Sequence, residues 1–357
     1  MRLARPSRRG NLLSERSRRA LERLIADPEM AARAASPAAR ATTARPVRSA
    51  QPTRVPAPDG PMPIFEQVGT CSPPLLPEAT IARLQRIVRE QGRLAPLLAA
   101  GVRPSSTVLL SGPPGVGKTH TARWLASELQ LPLAHIEPAV VLSSLLGRSG
   151  QNLAALFEQA LTQPCVVLVD EFDALAKRRD DATDIGELKR LVTVLLLELD
   201  RWPHGHLFLA ATNHPHLLDP AVLRRFDHEI ALDLPDQQTR KSLLTQAIDS
   251  RGISIEPTML NALAVATDGD HGGVLIALGD DIARAVLVDE SDPNQAASDA
   301  ALRILTERHG ADSALDALCW LLHEYGGLTL RDIARRLDTS HPTVRKRIDR
   351  FATARGE

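Results

Sequence analysis

The sequence lacks the long apolar runs of a membrane protein. Even its most apolar stretches, such as residues 192–197, are far shorter than the roughly 18 to 20 residues that a membrane-spanning helix needs. The N-terminus also lacks the apolar core of a secretory signal. These absences predict a cytoplasmic protein with no membrane partner.

Cysteine is scarce as well, with only Cys71, Cys165 and Cys319 in the whole chain. The three are scattered and odd in number, and no C-x-x-C pair or histidine cluster accompanies them, so no zinc site is predicted. Cys165 borders an apolar run and is interpreted as a small buried hydrophobic residue.

Net charge is absent from the chain as a whole, because 43 basic residues balance 43 acidic ones. The balance hides an asymmetry. Residues 1–60 hold thirteen arginines and five acids, a surplus of eight positive charges, so the remainder carries eight excess negative charges. Hydrophobic residues make up 43% of 357 residues, which is enough for a sizeable core and for two or three domains.

Residues 1–63 are predicted to form a disordered tail. They are rich in arginine, proline and alanine, and alanine buries too little surface to offset the entropy of ordering the chain. One stretch, residues 15–26, has the apolar spacing of a short helix that a partner could order. The arginines could bind nucleic acid or an acidic protein surface, or could only keep the chain soluble.

A phosphate-binding loop is predicted in residues 108–121, which read VLLSGPPGVGKTHT. A short aliphatic strand, a glycine-rich loop and a helix start follow one another, as the motif G-x-x-x-x-G-K-[ST] requires. Glycine lets backbone amides face a phosphate, Lys118 can hold the outer phosphates, and Thr119 can offer a hydroxyl to Mg²⁺. The predicted nucleotide-binding residues of the loop are Gly112, Pro113, Pro114, Gly115, Val116, Gly117, Lys118, Thr119 and His120.

Strands and helices alternate around this loop. Such alternation, with nearly continuous apolar strands, predicts an α/β fold: a parallel sheet with helices on both faces. Ligands of such sheets lie at the carboxyl ends of the strands. Beyond the loop strand, strands are predicted at 133–136, 165–169, 207–211 and 229–232, and helices at 77–98, 118–129, 151–161 and 185–199.

Two acids follow one of the predicted strands. Residues 165–173 read CVVLVDEFD, so the carboxylates of Asp170 and Glu171 emerge at the carboxyl edge of the sheet, beside the phosphate loop if the two strands are neighbours. Asp170 is then placed to hold Mg²⁺ together with Thr119, and Glu171 to orient and deprotonate the attacking water.

Four motifs in this order resemble the AAA-type members of the AAA+ ATPases. They are GPPGVGKT, VLVDEFD, LAATN and LDPAVLRRFD, and the resemblance extends over roughly residues 77–289. It implies ATP as substrate, Mg²⁺ as cofactor and assembly into a ring, expected as a hexamer. It also implies that Asn213 positions the water and that Arg224 and Arg225 act on the nucleotide of a neighbouring subunit.

The chain departs from the family pattern in two places. The family has proline and glycine between its two arginines, whereas Arg224 and Arg225 are adjacent. This leaves open which of them is the arginine finger, the residue that acts on the neighbouring subunit's nucleotide, and which is structural. The family's central pore loop carries an aromatic residue, whereas residues 144–148 read SLLGR. Leucines there could still grip an extended chain, or the run could simply end a helix. Residues 177–181 match a second pore loop or a solvated loop.

Three helices predicted at 237–250, 257–267 and 274–289 resemble the small α-helical lid of the family. The run GDHGG at 269–273 matches a glycine-bearing turn that touches the nucleoside in relatives. An acidic, polar linker is predicted at 289–299. The predicted division is a tail at 1–63, a large ATPase domain at 64–235, a lid at 236–290 and a helical domain at 291–357.

The C-terminal domain resembles a helix-turn-helix module. After predicted helices at 302–308 and 313–324, residues 328–351 show the buried spacing of two helices around a three-residue turn. Asp338 replaces the usual turn glycine, at modest strain. A helical bundle for protein contact is the alternative. The second helix is predicted to expose a basic face with Arg345, Lys346, Arg347 and Arg350.

These features predict a Mg²⁺-dependent, ring-forming ATPase that remodels or translocates a macromolecule, with protein as the expected substrate. The alternative is a nucleotide-controlled regulator that binds DNA through residues 328–351. The SLLGR run favours a polypeptide substrate, whereas the arginine-rich tail and the helix-turn-helix favour nucleic acid.

Overall fold

The computed structural model of the chain describes residues 63–142, 149–176 and 187–355. The tail, the SLLGR run and residues 177–181 lie outside the described residues, and what the sequence predicts for them stays a prediction. Among the described residues no helix is long and apolar enough to cross a bilayer.

Six strands form one sheet in the order β1-β3-β4-β5-β2-β6. The first strand pairs antiparallel with the third, and all the other neighbours are parallel, which confirms the predicted α/β class. The short first strand was not predicted. The strands are β1 (Ile64–Glu66), β2 (Thr107–Ser111), β3 (Leu133–Ile136), β4 (Val166–Val169), β5 (Leu207–Thr212) and β6 (His228–Ala231).

The central strands are apolar because the sheet is covered on both faces. Every residue of β4 and β5 is buried. Successive residues of β4 join different hydrophobic clusters, since Val167 packs in the cluster of Phe157 whereas Leu168 packs in that of Trp124. This alternation follows from the two-residue period of a strand.

The large domain has eight helices within the described residues. The single helix predicted at 77–98 is wrong, because Gly92 ends the first helix and a second begins at Leu94. The helices are α1 (Glu78–Gln91), α2 (Leu94–Ala99), α3 (Lys118–Leu129), α4 (Pro138–Leu142), α5 (Ser149–Ala160), α6 (Asp173–Ala176), α7 (Glu187–Asp200) and α8 (Pro220–Leu223), with a 3₁₀ turn at Pro215–Leu217.

Seven further helices follow β6 and share one hydrophobic cluster, which extends from Leu244 to Phe351. The predicted lid and C-terminal helices therefore pack around a common core, and the domain boundaries at 235/236 and 290/291 stay predictions. These helices are α9 (Gln237–Asp249), α10 (Pro257–Ala266), α11 (Gly272–Leu287), α12 (Pro293–His309), α13 (Ala311–Glu324), α14 (Leu330–Arg336) and α15 (His341–Arg355).

The linker predicted at 289–299 is wrong beyond Asp292. The Asp292 carboxylate accepts hydrogen bonds from the amides of Asn294 and Gln295, and Pro293 occupies the first position of α12. Both features favour a helix start. The polar composition misled the prediction, since small buried residues such as Ala297 form the inner face of this helix.

The two last helices have the predicted spacing, with Ile333 and Val344 buried on either side of the turn. Asp338 adopts a φ of 45°, the left-handed conformation that glycine adopts at lower cost. Of the predicted basic face, Arg345, Lys346 and Arg350 are exposed, whereas Arg347 is half-buried. Arg347 and Arg350 bind the two oxygens of the buried Asp316 carboxylate on α13, at 2.9 and 3.0 Å.

Candidate nucleotide-binding site

The phosphate loop connects β2 to α3 through three glycines with positive φ. Gly112, Gly115 and Gly117 have φ values of 146°, 75° and 101°, which L side chains rarely adopt. At Gly112 space is limiting as well, because a β-carbon there would lie 2.1 Å from the carbonyl oxygen of Leu232. The conformation of the loop is therefore limited by the residue that follows β6 as well as by the loop's own sequence.

Lys118 is only 7% exposed and is held at the centre of the site. Its Nζ donates to the carbonyl oxygens of Gly112 and Pro113, both at 2.8 Å, and to Oδ1 of Asn213 at 2.6 Å. Burial lowers the pKa of Lys118, and the nearby carboxylates of Asp170 and Asp173 oppose that shift. A phosphate would be a stronger, charged acceptor for this ammonium group.

Thr119 and Asp170 meet although their strands are not neighbours. The sequence predicted this meeting on the condition that β4 and β2 are neighbours, but β5 lies between them. The Thr119 hydroxyl nevertheless donates to Oδ2 of Asp170 at 3.0 Å, because Thr119 lies in the first turn of α3, at the same edge of the sheet. A hydroxyl and a carboxylate that face each other fit the oxygen ligands that Mg²⁺ prefers.

Glu171 projects beside this pair. It has a φ of 49°, which is uncommon for a non-glycine residue and is maintained only where neighbouring contacts enforce it. Here the amide of Phe172 donates to the Ala211 carbonyl at 2.9 Å, and the Thr212 hydroxyl donates to Oδ1 of Asp173 at 2.5 Å. Both contacts fasten the acidic loop to β5, which leaves the Glu171 side chain exposed.

One cavity of about 770 Å³ brings together Asp170, Glu171, Asn213 and the loop residues 114–120. It is thus large enough for a nucleotide. Residues 72–77 and several side chains of α9 and α11 also line it. The sequence did not predict that residues 72–77 or the side chains of α9 line the site, and the proline-rich run at 73–77 was the only local feature that set these residues apart. The lid-side lining residues include Thr239, Leu243, Gln246, Arg251 and Ile276.

Arg224 and Arg225 do not line this cavity. Arg225 is held within its own chain, because Nε lies 3.0 Å from Oδ1 of Asp200 and Nη1 donates to the Ala221 carbonyl at 3.1 Å. Arg224 is exposed, its amide donates to the Pro220 carbonyl at 3.3 Å, and its guanidinium has no hydrogen bond or ion pair within the described part of the chain.

The glycine-bearing turn at 269–273 contacts the phosphate loop. The amide of Gly273 donates to the Gly115 carbonyl at 3.2 Å, and both Gly272 and Gly273 line the cavity. His271 caps α11, with its Nδ1 3.4 Å from the amide of Val274. Helix α11 thus begins directly against the loop.

Comparison with known proteins finds a family match over part of the chain. Residues 108–234 match the family described as ATPase family associated with various cellular activities (AAA). An AAA family ATPase of Sinorhizobium fredii, y4kL, is 41% identical over 162 residues, which are 45% of this chain and 49% of the relative. Spastin of Drosophila melanogaster is 38% identical over 195 residues, 53% of this chain and 26% of spastin. The chain thus spans half or less of the length of these relatives.

Gly112→Ala should abolish nucleotide binding, because the new β-carbon collides with the Leu232 carbonyl and displaces the loop. Gly101→Ala is the matched control. Gly101 also has a positive φ, of 73°, but has open space around its α-carbon. It should lose only about 1 kcal/mol of stability. Titration with a fluorescent nucleotide and thermal unfolding test both variants, and unchanged affinity in Gly112→Ala would contradict this account of the loop.

Proposed function

The chain carries an AAA ATPase domain over residues 108–234, and from this premise we propose that it binds ATP with Mg²⁺ and hydrolyses it to ADP and phosphate. The observation that carries the proposal is the single cavity in which Lys118, the Thr119–Asp170 pair, Glu171 and Asn213 converge.

Each residue has a distinct task in this proposal. The loop amides and Lys118 bind the phosphates, and Thr119 and Asp170 hold the metal, directly or through its water shell. Bound Mg²⁺ supplies neutralisation of the phosphate charge. Glu171 accepts a proton from the attacking water, and Asn213 helps to position that water. The Lys118–Asn213 hydrogen bond at 2.6 Å links the group that binds phosphate to the group that orients the nucleophile.

Lys118→Ala and Glu171→Gln should separate binding from chemistry. Lys118→Ala removes a charged donor, so ATP affinity should fall at least about tenfold. Glu171→Gln keeps the shape of the side chain and removes the base, so turnover should fall roughly 10²- to 10⁴-fold while ATP stays bound. Equilibrium binding and phosphate release are the measurements. Wild-type ATP affinity in Lys118→Ala would contradict the assignment.

We also propose a ring, with six subunits as the expected number, in which Arg224 is the finger. Both arginines lie outside the cavity of their own chain, which suits action on a neighbour's nucleotide. The guanidinium of Arg225 is already bound by Asp200 and Ala221, so Arg225 is assigned a structural task. Arg224, exposed and unpaired within the described residues, is free to reach across an interface.

Arg224→Ala should lower turnover roughly 10³-fold, within the range for arginine fingers, without weakening ATP binding to the same degree. Arg225→Ala should chiefly lower stability, because it frees Asp200. Mixing Arg224→Ala with Glu171→Gln should recover part of the activity, since each protein supplies what the other lacks. The ring proposal fails if no mixture recovers turnover and the protein stays monomeric with ATP.

The proposed substrate of this ATPase is a macromolecule in the cytoplasm, with a polypeptide favoured by the SLLGR run at 144–148. Glu171→Gln provides the means of identifying it, because a protein that binds ATP without turnover should retain its substrate. Lys118→Ala is the control for that capture, since a substrate held only in the ATP-bound state should be lost from it.

A second candidate is a DNA-binding regulator, favoured by the exposed Arg345 and Lys346 on α15 and by the left-handed turn at Asp338. Arg350 is exposed as well and Arg347 is half-buried, but both guanidinium groups are already paired with Asp316. DNA affinity through this face would therefore rest chiefly on two side chains and on several copies acting together in a ring.

If α15 binds DNA, replacing Arg345 and Lys346 by alanine should lower affinity and reduce the slope of log K against log salt by roughly 1.8, about 0.9 for each lost phosphate contact. The matched control replaces Arg89 and Arg303, two exposed arginines on α1 and α12. Fluorescence anisotropy with duplex DNA is the measurement.

Substitutions in the full chain are preferable to a C-terminal truncation, since the C-terminal helices share their core with the lid. A deletion of residues 1–60 separates the contribution of the basic tail. If binding is lost only in that deletion, α15 is left with a protein-contact role.

A further inference from the structure

Two contacts join the beginning of α11 to the phosphate loop. One is the hydrogen bond from the Gly273 amide to the Gly115 carbonyl, and the other is the side chain of His271. The ring of His271 lies against Gly115 so closely that a β-carbon on Gly115 would be 2.1 Å from Nδ1, 2.5 Å from Cε1 and 2.7 Å from Cγ. These atoms include the one nearest the backbone, so a small rotation of the ring would not relieve the collision.

The same ring is fixed from the lid side. Its Nδ1 accepts a hydrogen bond from the amide of Val274 in the first turn of α11. Gly273, on its other side, also leaves room for it, since a β-carbon there would lie 3.2 Å from Nδ1. The ring is therefore held between the loop and the beginning of α11, and it cannot move without breaking the helix cap.

The N-cap role alone does not explain why residue 271, which precedes α11, is a histidine. Asparagine, aspartate and serine are the preferred residues at a helix N-cap, and each would leave the surface of Gly115 uncovered. What histidine adds is a flat ring that fills the space between loop and lid. This points to a contact with the loop as the reason for the residue type.

Helix α11 transmits any displacement into the rest of the helical core. Its Leu275, Leu278 and Ile282 belong to the cluster that also contains Phe351 of α15. A β-carbon on Gly279 would lie 2.8 Å from the β-carbon of Ala247, so α11 and α9 are in close contact. Packed elements of this kind shift as units and do not deform gradually.

We propose that His271 is a positioning residue that couples the phosphate loop to the lid. A bound phosphate selects one conformation of the loop, the loop contacts the ring of His271 at Gly115, and this contact sets the position of α11. The inference rests on the proposed nucleotide binding. The amides that would face a phosphate lie in the loop around Gly115, so the atoms that bind the ligand and the atoms that touch the ring belong to the same few residues.

A double-mutant cycle tests the contact. In the wild type Gly115→Ala introduces both backbone strain and the collision with the ring, whereas in His271→Ala it introduces the strain alone. Gly115→Ala should therefore weaken ADP binding roughly tenfold more in the wild type than in His271→Ala, a coupling of about 1.4 kcal/mol.

Gly117→Ala is the matched control for this cycle. Gly117 also has a positive φ, of 101°, but nothing lies within 4 Å of its added β-carbon. Its effect on ADP binding, whatever its size, should be the same in both backgrounds. Equal effects of Gly115→Ala in the two backgrounds would overturn the proposed contact.

Hydrogen exchange distinguishes coupling from capping. ADP should slow exchange of the first-turn amides of α11 in the wild type and should no longer do so in His271→Ala or His271→Asn. His271→Asn keeps a capping acceptor, so without nucleotide its first turn should exchange nearly as slowly as in the wild type, whereas His271→Ala should exchange faster.

Two outcomes of these measurements would contradict the inference, and they can be told apart. Protection by ADP that persists in His271→Asn reduces His271 to a cap and overturns the inference, while the proposed ATPase function stands. A wild-type protein that binds no nucleotide overturns both.

Discussion

The burial of one ammonium group constrains the whole nucleotide site. Lys118 loses most of its hydration, and the carbonyl oxygens of Gly112 and Pro113 and the amide oxygen of Asn213 replace it. Those three acceptors come from the loop after β2 and from the end of β5, so they meet only because these strands are parallel neighbours. The sheet order is thus what makes a buried cation tolerable at its edge.

The sequence indicated which residues meet at this site but not the order of the strands that carry them. The loop and the acids after β4 are local patterns, and each fixes a few residues within one turn or strand end. Strand order is set by contacts between distant segments, which no local pattern reports. For that reason the sequence could state the meeting of Thr119 and Asp170 only on the condition that β4 and β2 are neighbours. The contact forms although β5 lies between the two strands.

In the C-terminal helices, too, the sequence predicted local features and missed a contact between distant segments. Periodicity identified the buried Ile333 and Val344, since the helical repeat is a property of the segment itself. It could not show that Arg347 and Arg350 have a partner, because Asp316 lies on α13 and sequence gives no sign of its burial. A buried carboxylate with two arginines fixes α15 on its neighbour, so part of a surface that looked functional is structural.

The shared core has a mechanical consequence for both candidate functions. Helices α9 and α11, which line the cavity, and α15, which carries Arg345 and Lys346, pack into one hydrophobic cluster. The two candidate functions therefore involve helices that share a core. The interior of such a cluster is close-packed, and separating its helices would expose apolar surface at a cost of about 25 cal/mol per Å². Helix α11, which begins beside the phosphate loop, and α15 are thus parts of one packed core.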